Sequence, residues 1–401
     1  MHPVLQENIE KIGKPYKDLL FLLRCLADVL EANNEKVLIV HIPWLNEKVA
    51  LPPPGIEQKV VHLYSICFQL LNLCEVNWAV QSRRGKQQSQ GPQSVNGSWA
   101  QTFAELKNKG LSQSVILETL SHLQVEPVLT AHPTEAKRTV VLKDYRELYL
   151  QLVMLENTMY TDIERLSIRK EIIQILTRLW FVDDIYLEKP RVETELENML
   201  YYLQHVFPDV FDQHDKQLLQ AWTDAGFNPA ALQDYRHMPG ITLGTWVGGD
   251  RDGHPLITPE ITAFTLNKFR AEALLMVQKH LLKLADSLSL YVEESDLPQF
   301  FLQHKNDLTA QIMSRSGSER LSAARHEPFK QYVLLLAGKL PVKHDSAAEN
   351  SLVPDHGRFY KESAQLLADL ELLLQAISGW GAPTLAANEV IKTMRFVNNF
   401  G

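Results

Sequence analysis

Apolar residues along this chain recur mainly at helical spacing. Tyr16, Leu19, Leu20, Leu23, Leu26 and Leu30 follow one another at intervals of three and four, which predicts an amphipathic helix. Asn33-Asn34 ends it. Leu51-Pro52-Pro53-Pro54-Gly55 is a rigid break,. A second apolar helix follows over about 57–80. From Arg83 to Ser94 the periodicity stops and the composition turns polar, which reads as a mobile loop; its basic start could bind phosphate, with a solvated loop as the plainer reading,. Further helices are expected near 99–122, 135–158, 161–182, 191–206, 258–290, 327–340 and 358–378, with surface loops near 314–320 and 342–356. No repeat of fixed period is present,.

Two short segments break this pattern. Val125-Glu126-Pro127-Val128-Leu129-Thr130 and Ile241-Thr242-Leu243-Gly244-Thr245-Trp246-Val247 are rich in β-branched residues, and each has helices on both sides,. Strand, loop and helix make the repeating unit of an α/β barrel, whose reactive groups sit at the C-terminal ends of the strands. The expected fold is therefore mainly α with a few parallel strands, an incomplete TIM-type α/β barrel heavily decorated with helices. The boundary is expected at 123/124: an N-terminal helical region over 1–123, then the first part of the barrel with helical insertions over 124–401, truncated at its C-terminal end.

Composition adds exclusions. With 401 residues, 45% hydrophobic and 22% charged, the chain can bury a large core,. A net charge of −8 argues against general nucleic-acid binding,. No apolar run reaches the length of a membrane span, and the N-terminus lacks the layout of a signal peptide,. The three cysteines, Cys25, Cys67 and Cys74, lack metal spacing and read as reduced thiols of a cytoplasmic protein,. Cys67 and Cys74 are expected on one packed helix face.

Two segments carry candidate chemistry. The first is Thr130-Ala131-His132-Pro133-Thr134-Glu135-Ala136-Lys137-Arg138. Proline is favoured at the first helical position, which would put His132 at an N-cap. The helix beyond would pack Val141, Tyr145, Leu148, Leu152 and Leu155 against the core. Positive potential at a helix N-terminus disfavours imidazolium, so His132 is expected to be neutral and able to take a proton. Arg138, one turn along, could hold a phosphate or carboxylate. A histidine that merely caps a helix is the plain alternative.

The second is Gly244-Thr245-Trp246-Val247-Gly248-Gly249-Asp250-Arg251-Asp252-Gly253-His254-Pro255. Gly248 and Gly249 allow a tight turn and close backbone approach to a ligand. Trp246 offers a flat apolar wall, and Asp250, Arg251 and Asp252 could form a local ion-pair network. Gly248 occupies a position where a calcium loop needs an acid or amide, so calcium is rejected. A structural turn remains the alternative.

Both segments resemble signatures of the phosphoenolpyruvate carboxylases, and weaker echoes at 179–185, 327–330 and 360–370 follow in the family's order. Thr139 stands where the family carries a second basic residue, Thr245 where serine is usual and His254 where asparagine is usual. In plant-type members the basic pair that Thr139 interrupts is linked to sugar-phosphate activation, and Tyr186 and Leu187 stand where arginines usually follow, so the resemblance implies altered effector binding.

The resemblance implies conversion of phosphoenolpyruvate and bicarbonate to oxaloacetate and phosphate, an anaplerotic carbon dioxide fixation. His132 would be the catalytic base. Arg138, Trp246, Gly248, Gly249 and Arg251 would bind substrate, with Thr134, Asp250 and Asp252 supporting the site. Magnesium or manganese is implied as cofactor, its ligands expected beyond residue 401. The partner is a further copy in a homo-oligomer, commonly a tetramer, or a complementary C-terminal half. The chain is thus expected to be an inactive N-terminal portion, a fragment or the product of a split gene. Two other readings stay open: a non-catalytic helical interaction or regulatory subunit, and a phosphohistidine carrier using His132.

Overall fold

The computed structural model describes residues 12–46, 51–130, 138–182, 192–252, 257–312, 326–343, 351–353, 357 and 359–401. It is mostly helical with a few short parallel strands. Packing divides the chain into two compact units, one from Met1–Ser98 and His132–Pro190, the other from Trp99–Ala131 and Arg191–Gly401.

In the first unit, helix α1 (Lys14–Ala32) packs on α2 (Glu57–Gln90), and α5 (Thr139–Met154) packs on α6 (Asp162–Phe181) and α2. One core gathers the leucine stripe of α1, Leu63, Ile66, Cys67 and Leu70 of α2, Val141, Tyr145, Leu148 and Leu152 of α5, and Ile168, Ile172 and Ile175 of α6. Each stripe is buried as its spacing implies, and Cys67 and Cys74 are both buried on the α2 face. Burial pushes both thiols up to about 12, so they stay protonated and inert,. Thr161 caps α6 in a reciprocal box with Glu164, the most direct of the start signals,. Arg178 of α6 holds the buried Asp144 of α5 through Nε at 2.9 Å and Nη2 at 2.7 Å.

Three expectations need correction in helical extent. The polar stretch from Arg83 is helix, not loop: α2 runs to Gln90 and ends at Gly91, whose φ is 86°. Arginine, lysine and glutamine are good helix formers, and a nucleated helix extends into water without apolar contacts. The stretch 99–122 is two helices, α3 (Trp99–Asn108) and α4 (Gln113–His122), separated at Gly110 with φ 78°. Finally, among the described residues the helix expected over 135–158 begins at Thr139 as α5. Arg138 is extended (ψ 142°) and occupies the N-cap position. The first helical hydrogen bond is Leu142 N–H to Arg138 O at 3.1 Å. Residues 131–137, with His132, Pro133 and Thr134, lie outside the described residues.

The second unit holds α7 (Val192–His205), α8 (Phe207–Asp224), α9 (Pro259–Ser287), α10 (Gln299–Ile312), α11 (Pro328–Gly338), α12 (Ser363–Trp380) and α13 (Lys392–Phe400). Three of these were not anticipated. Pro208 reads as a stop signal but sits at the start of α8, where its missing N–H costs nothing,. Pro298 precedes α10 in the same way, and Pro383 opens the helical run that reaches α13 through a π-helical segment, Ala386–Ile391. Within the stretch expected as loop at 342–356, Val342 pairs with Leu352 and Lys343 with Ser351, antiparallel.

The main core of this unit centres on Phe301, Phe329, Tyr332, Leu336, Leu370 and Leu373. Buried within it is a carboxylate hub. Asp369 accepts from Tyr360 Oη at 2.5 Å and pairs with His304 Nε2 at 3.0 Å and Lys339 Nζ at 3.4 Å. Burial first, then the Asp369 charge, raises both Tyr332 and Tyr360 far above an ordinary phenol,. Elsewhere in the unit His280 of α9 stacks on Phe396 of α13, centroids 4.3 Å apart.

Candidate functional site

The two β-rich segments pair with one another, in parallel. Gln124–Val125 (β1) pairs with Gly240–Ile241 (β3), and Val128–Leu129 (β2) pairs with Gly244–Thr245 (β4). Each segment is interrupted midway, because Pro127 has no N–H to give to a ladder,. The backbone pairing nevertheless continues: Thr242 N–H donates to Val125 O, Gly244 N–H to Pro127 O and Trp246 N–H to Leu129 O, at 3.1–3.2 Å. Leu129 lies opposite Thr245. The chain that leaves β2 reaches His132 three residues later; the chain that leaves β4 enters the Trp246 loop at once.

That loop is a compact turn. Trp246 O accepts from the N–H groups of both Gly249 and Asp250 at 3.0 Å. Gly248 has φ 71°, the left-handed region that suits glycine. A Cβ on Gly248 would also overlap Thr265 Oγ1 of α9 and stand 2.8 Å from Thr265 Cβ. Gly248 is thus required twice, by conformation and by space. Val247 is buried in a small cluster with Val192, Leu196 and Met199 of α7, against which Leu129 and Ile261 also pack. This cluster fixes the floor of the strand ends. Trp246 lies outside it and is 54% exposed, leaving its indole open to a ligand.

The acidic and basic residues of the loop behave differently from the expectation. Among the described residues Asp250, Arg251 and Asp252 form no ion-pair network. Asp252 N–H instead donates to Asp250 Oδ1 at 3.1 Å, an Asx-type turn that satisfies the carboxylate locally,. Arg251 Nη2 lies 3.5 Å from Thr262 Oγ1 of α9. Both carboxylates and the guanidinium face water, where an ion pair gains little.

The structure therefore gathers Trp246, Gly248, Gly249, Asp250, Arg251 and Asp252 into one loop beyond β4. Arg138 is half-buried at the N-cap of α5, in the other unit. His132 and Thr134 lie outside the described residues, as do Gly253 and His254. Thr262 and Thr265, which the loop rests on, are not apparent from the sequence motif itself. Their signal was available: threonines at 258, 262 and 265 repeat at helical spacing just after the glycine loop,. Among the described residues no group of three or more His, Cys, Asp or Glu side chains could hold a metal ion. No helix among them is long and apolar enough to cross a membrane.

The architecture is that of a helix-rich protein with short parallel strand pairs among the described residues. The chain belongs to the phosphoenolpyruvate carboxylase family, whose model matches residues 21–401. Among curated relatives, the phosphoenolpyruvate carboxylase of Methylorubrum extorquens is 29% identical over 353 residues, covering 86% of this chain and 37% of its own length. The enzyme of that name from Alcanivorax borkumensis is 27% identical, over 86% of this chain and 36% of its own. That from Salmonella typhi is 26% identical over 99% of this chain and 42% of its own. The chain thus spans well under half the length of these relatives.

Proposed function

We propose that this chain supplies the histidine and tryptophan-glycine half of a phosphoenolpyruvate carboxylase active site. The observation that carries the reading is the parallel register of Leu129 with Thr245. It brings the entries to the two family signatures together at the C-terminal ends of neighbouring strands, where α/β barrels do their chemistry. In this reading the strand pair belongs to an incomplete TIM-type barrel over 124–401, preceded by the helical region 1–123.

The substrates are phosphoenolpyruvate and bicarbonate. His132 takes the proton from the carboxyphosphate formed when bicarbonate attacks phosphorus, and carbon dioxide is then released to the enolate. Trp246, with an open apolar face beside a rigid turn, shields the enolate from water. Arg138 and Arg251 are the cations offered to the phosphoryl and carboxylate groups. Magnesium or manganese, when bound, would stabilise the enolate, with its ligands in the further length that the relatives carry. The partner is the remaining length that the relatives carry, in a homo-oligomer or as a complementary polypeptide, in the cytoplasm.

The polypeptide of these 401 residues is proposed to be inactive alone, because the relatives it matches are more than twice as long. Oxaloacetate formation with bicarbonate, phosphoenolpyruvate and either metal tests both parts. No turnover by the chain alone is expected, with turnover restored by a complementary C-terminal polypeptide and lost again on His132→Asn. Turnover by the chain alone that vanishes on His132→Asn overturns the inactivity. Restored turnover that survives His132→Asn overturns the role of the histidine. Acid-labile phosphate on His132 without oxaloacetate would point to a phosphohistidine carrier instead.

A further inference from the structure

We propose that Thr262 is the positioning residue of Trp246, setting the indole's place by clamping the crown of its loop to helix α9. The loop has three anchors. At its start, Trp246 N–H is tied to Leu129 O across the strand pair at 3.2 Å. Below, Val247 is sunk in the cluster with α7. At its crown, Gly248 O accepts a 2.8 Å hydrogen bond from Thr262 Oγ1. The first two anchors fix the residue's backbone entry and the floor. Neither fixes the turn of Gly248 and Gly249, which closes back on Trp246.

The geometry at Thr262 is specific to a hydroxyl. Its single proton has two acceptors in reach, Gly248 O at 2.8 Å and Thr258 O one helical turn back at 3.2 Å. The shorter contact is the one to the loop. A threonine that only back-bonded to its own helix would show the reverse. The same oxygen stands 3.5 Å from Arg251 Nη2, so one side chain links the crown and the descending arm of the loop. Thr265, one turn further along α9, is 2% exposed and closes the space under Gly248. The loop therefore rests on a threonine face of α9, held on it through Thr262, whose bond to Gly248 O is the shorter of its two contacts with the loop. Among the described residues no hydrogen bond holds the indole itself, so the crown determines where it stands.

What the loop serves rests on the carboxylase reading; how it is held does not. The test is made on the chain without substrate, labelled with 5-fluorotryptophan, the Trp246 resonance being assigned by its loss in Trp246→Phe. Thr262→Val keeps the shape and removes the hydroxyl; Thr262→Ser keeps the hydroxyl and removes the methyl. Amide exchange over 248–250 is expected to rise about 3- to 10-fold in Thr262→Val, the range of one net hydrogen bond. The Trp246 resonance shifts or broadens while the other tryptophans and the thermal midpoint hold, and Thr262→Ser matches the parent. Unchanged exchange in Thr262→Val, equal perturbation by both variants, or a change spread over all tryptophans overturns the proposal. Failure of the carboxylase reading would appear only in the oxaloacetate assay.

Discussion

Replacing Gly248 by alanine loads two costs on one new atom. The residue sits at φ 71°, and an L-side chain in the left-handed region costs about 1–2 kcal/mol. The new Cβ would also overlap Thr265 Oγ1 and approach Thr265 Cβ and Cγ2 to 2.8 and 2.9 Å. Thr265 is almost fully buried and cannot swing aside, and overpacking of this kind costs about 1–3 kcal/mol. The combined loss is about 2–5 kcal/mol. Gly249→Ala is the control within the same turn. Its nearest neighbour would be Trp246 O at 3.7 Å and its φ is unexceptional, so the cost is within about 0.5 kcal/mol. In thermal unfolding each kcal/mol moves the midpoint of a cooperative unit of this size by about 2–4 °C. Gly248→Ala is expected to lower it by at least about 4 °C and Gly249→Ala by under about 2 °C. Adding Thr265→Ala to Gly248→Ala removes two of the three crowding atoms and leaves the backbone cost. The double-mutant cycle should then show a favourable coupling above about 1 kcal/mol. Equal shifts for the two alanines, or no coupling, would refute this account of the loop.

Three other outcomes follow from the packing. Gly85 lies within the exposed end of α2 with open space around it, so Gly85→Ala should stabilise the helix by about 0.5–1 kcal/mol; a loss of stability would return this stretch to a loop. Burial, then repulsion from Lys392 and Lys283, pushes the His280 imidazole down to about 4 against a weaker pull from Asp212. A folded value below the unfolded one means its stabilising effect is complete above about pH 6.5 and is lost as pH falls toward 4. The melting midpoint should drop through that window, less steeply in His280→Phe, and superimposable profiles for the two proteins would rule the histidine out. At the buried hub, Tyr360→Phe removes one charge-assisted donor, about 1.5–3 kcal/mol, whereas Asp369→Ala strands Tyr360, His304 and Lys339 together, about 3–5 kcal/mol,. Urea denaturation should rank them in that order.

Most of the helical framework was legible because its signal is periodic burial. The α1 stripe and the α5 stripe are the cores their spacing describes, and Thr161 with Glu164 announces α6 through a reciprocal cap. The misreadings share a physical cause. The end of α2 has no buried face, so no apolar period marks it. The starts of α8 and α10 are marked by prolines that also serve as breakers, and local sequence cannot tell the two uses apart. At the candidate site the two strand segments were legible, since β-branched residues flanked by helices leave few alternatives, whereas their pairing across some 116 residues carries no local signal. The loop's turn chemistry was half foreseen: the glycines were singled out for the turn, but the threonines beneath them lie on another element. The Asp250–Asp252 contact is an Asx turn because the nearest donor is the chain's own amide, a competition that sequence spacing does not rank.

The pairing of Leu129 with Thr245 has a consequence for how the protein is made. The two partners are separated by some 116 residues of sequence, so their contact is among the most costly in loop-closure entropy and cannot speed collapse. During synthesis at about 5–20 residues per second, the earlier strand waits roughly 6–23 s before its neighbour leaves the ribosome. Throughout that interval the edge of Val128 and Leu129 lacks the strand it pairs with, although the α5–α6 hairpin between them can already form. A nascent chain paused between these positions should therefore be the species that chaperones hold.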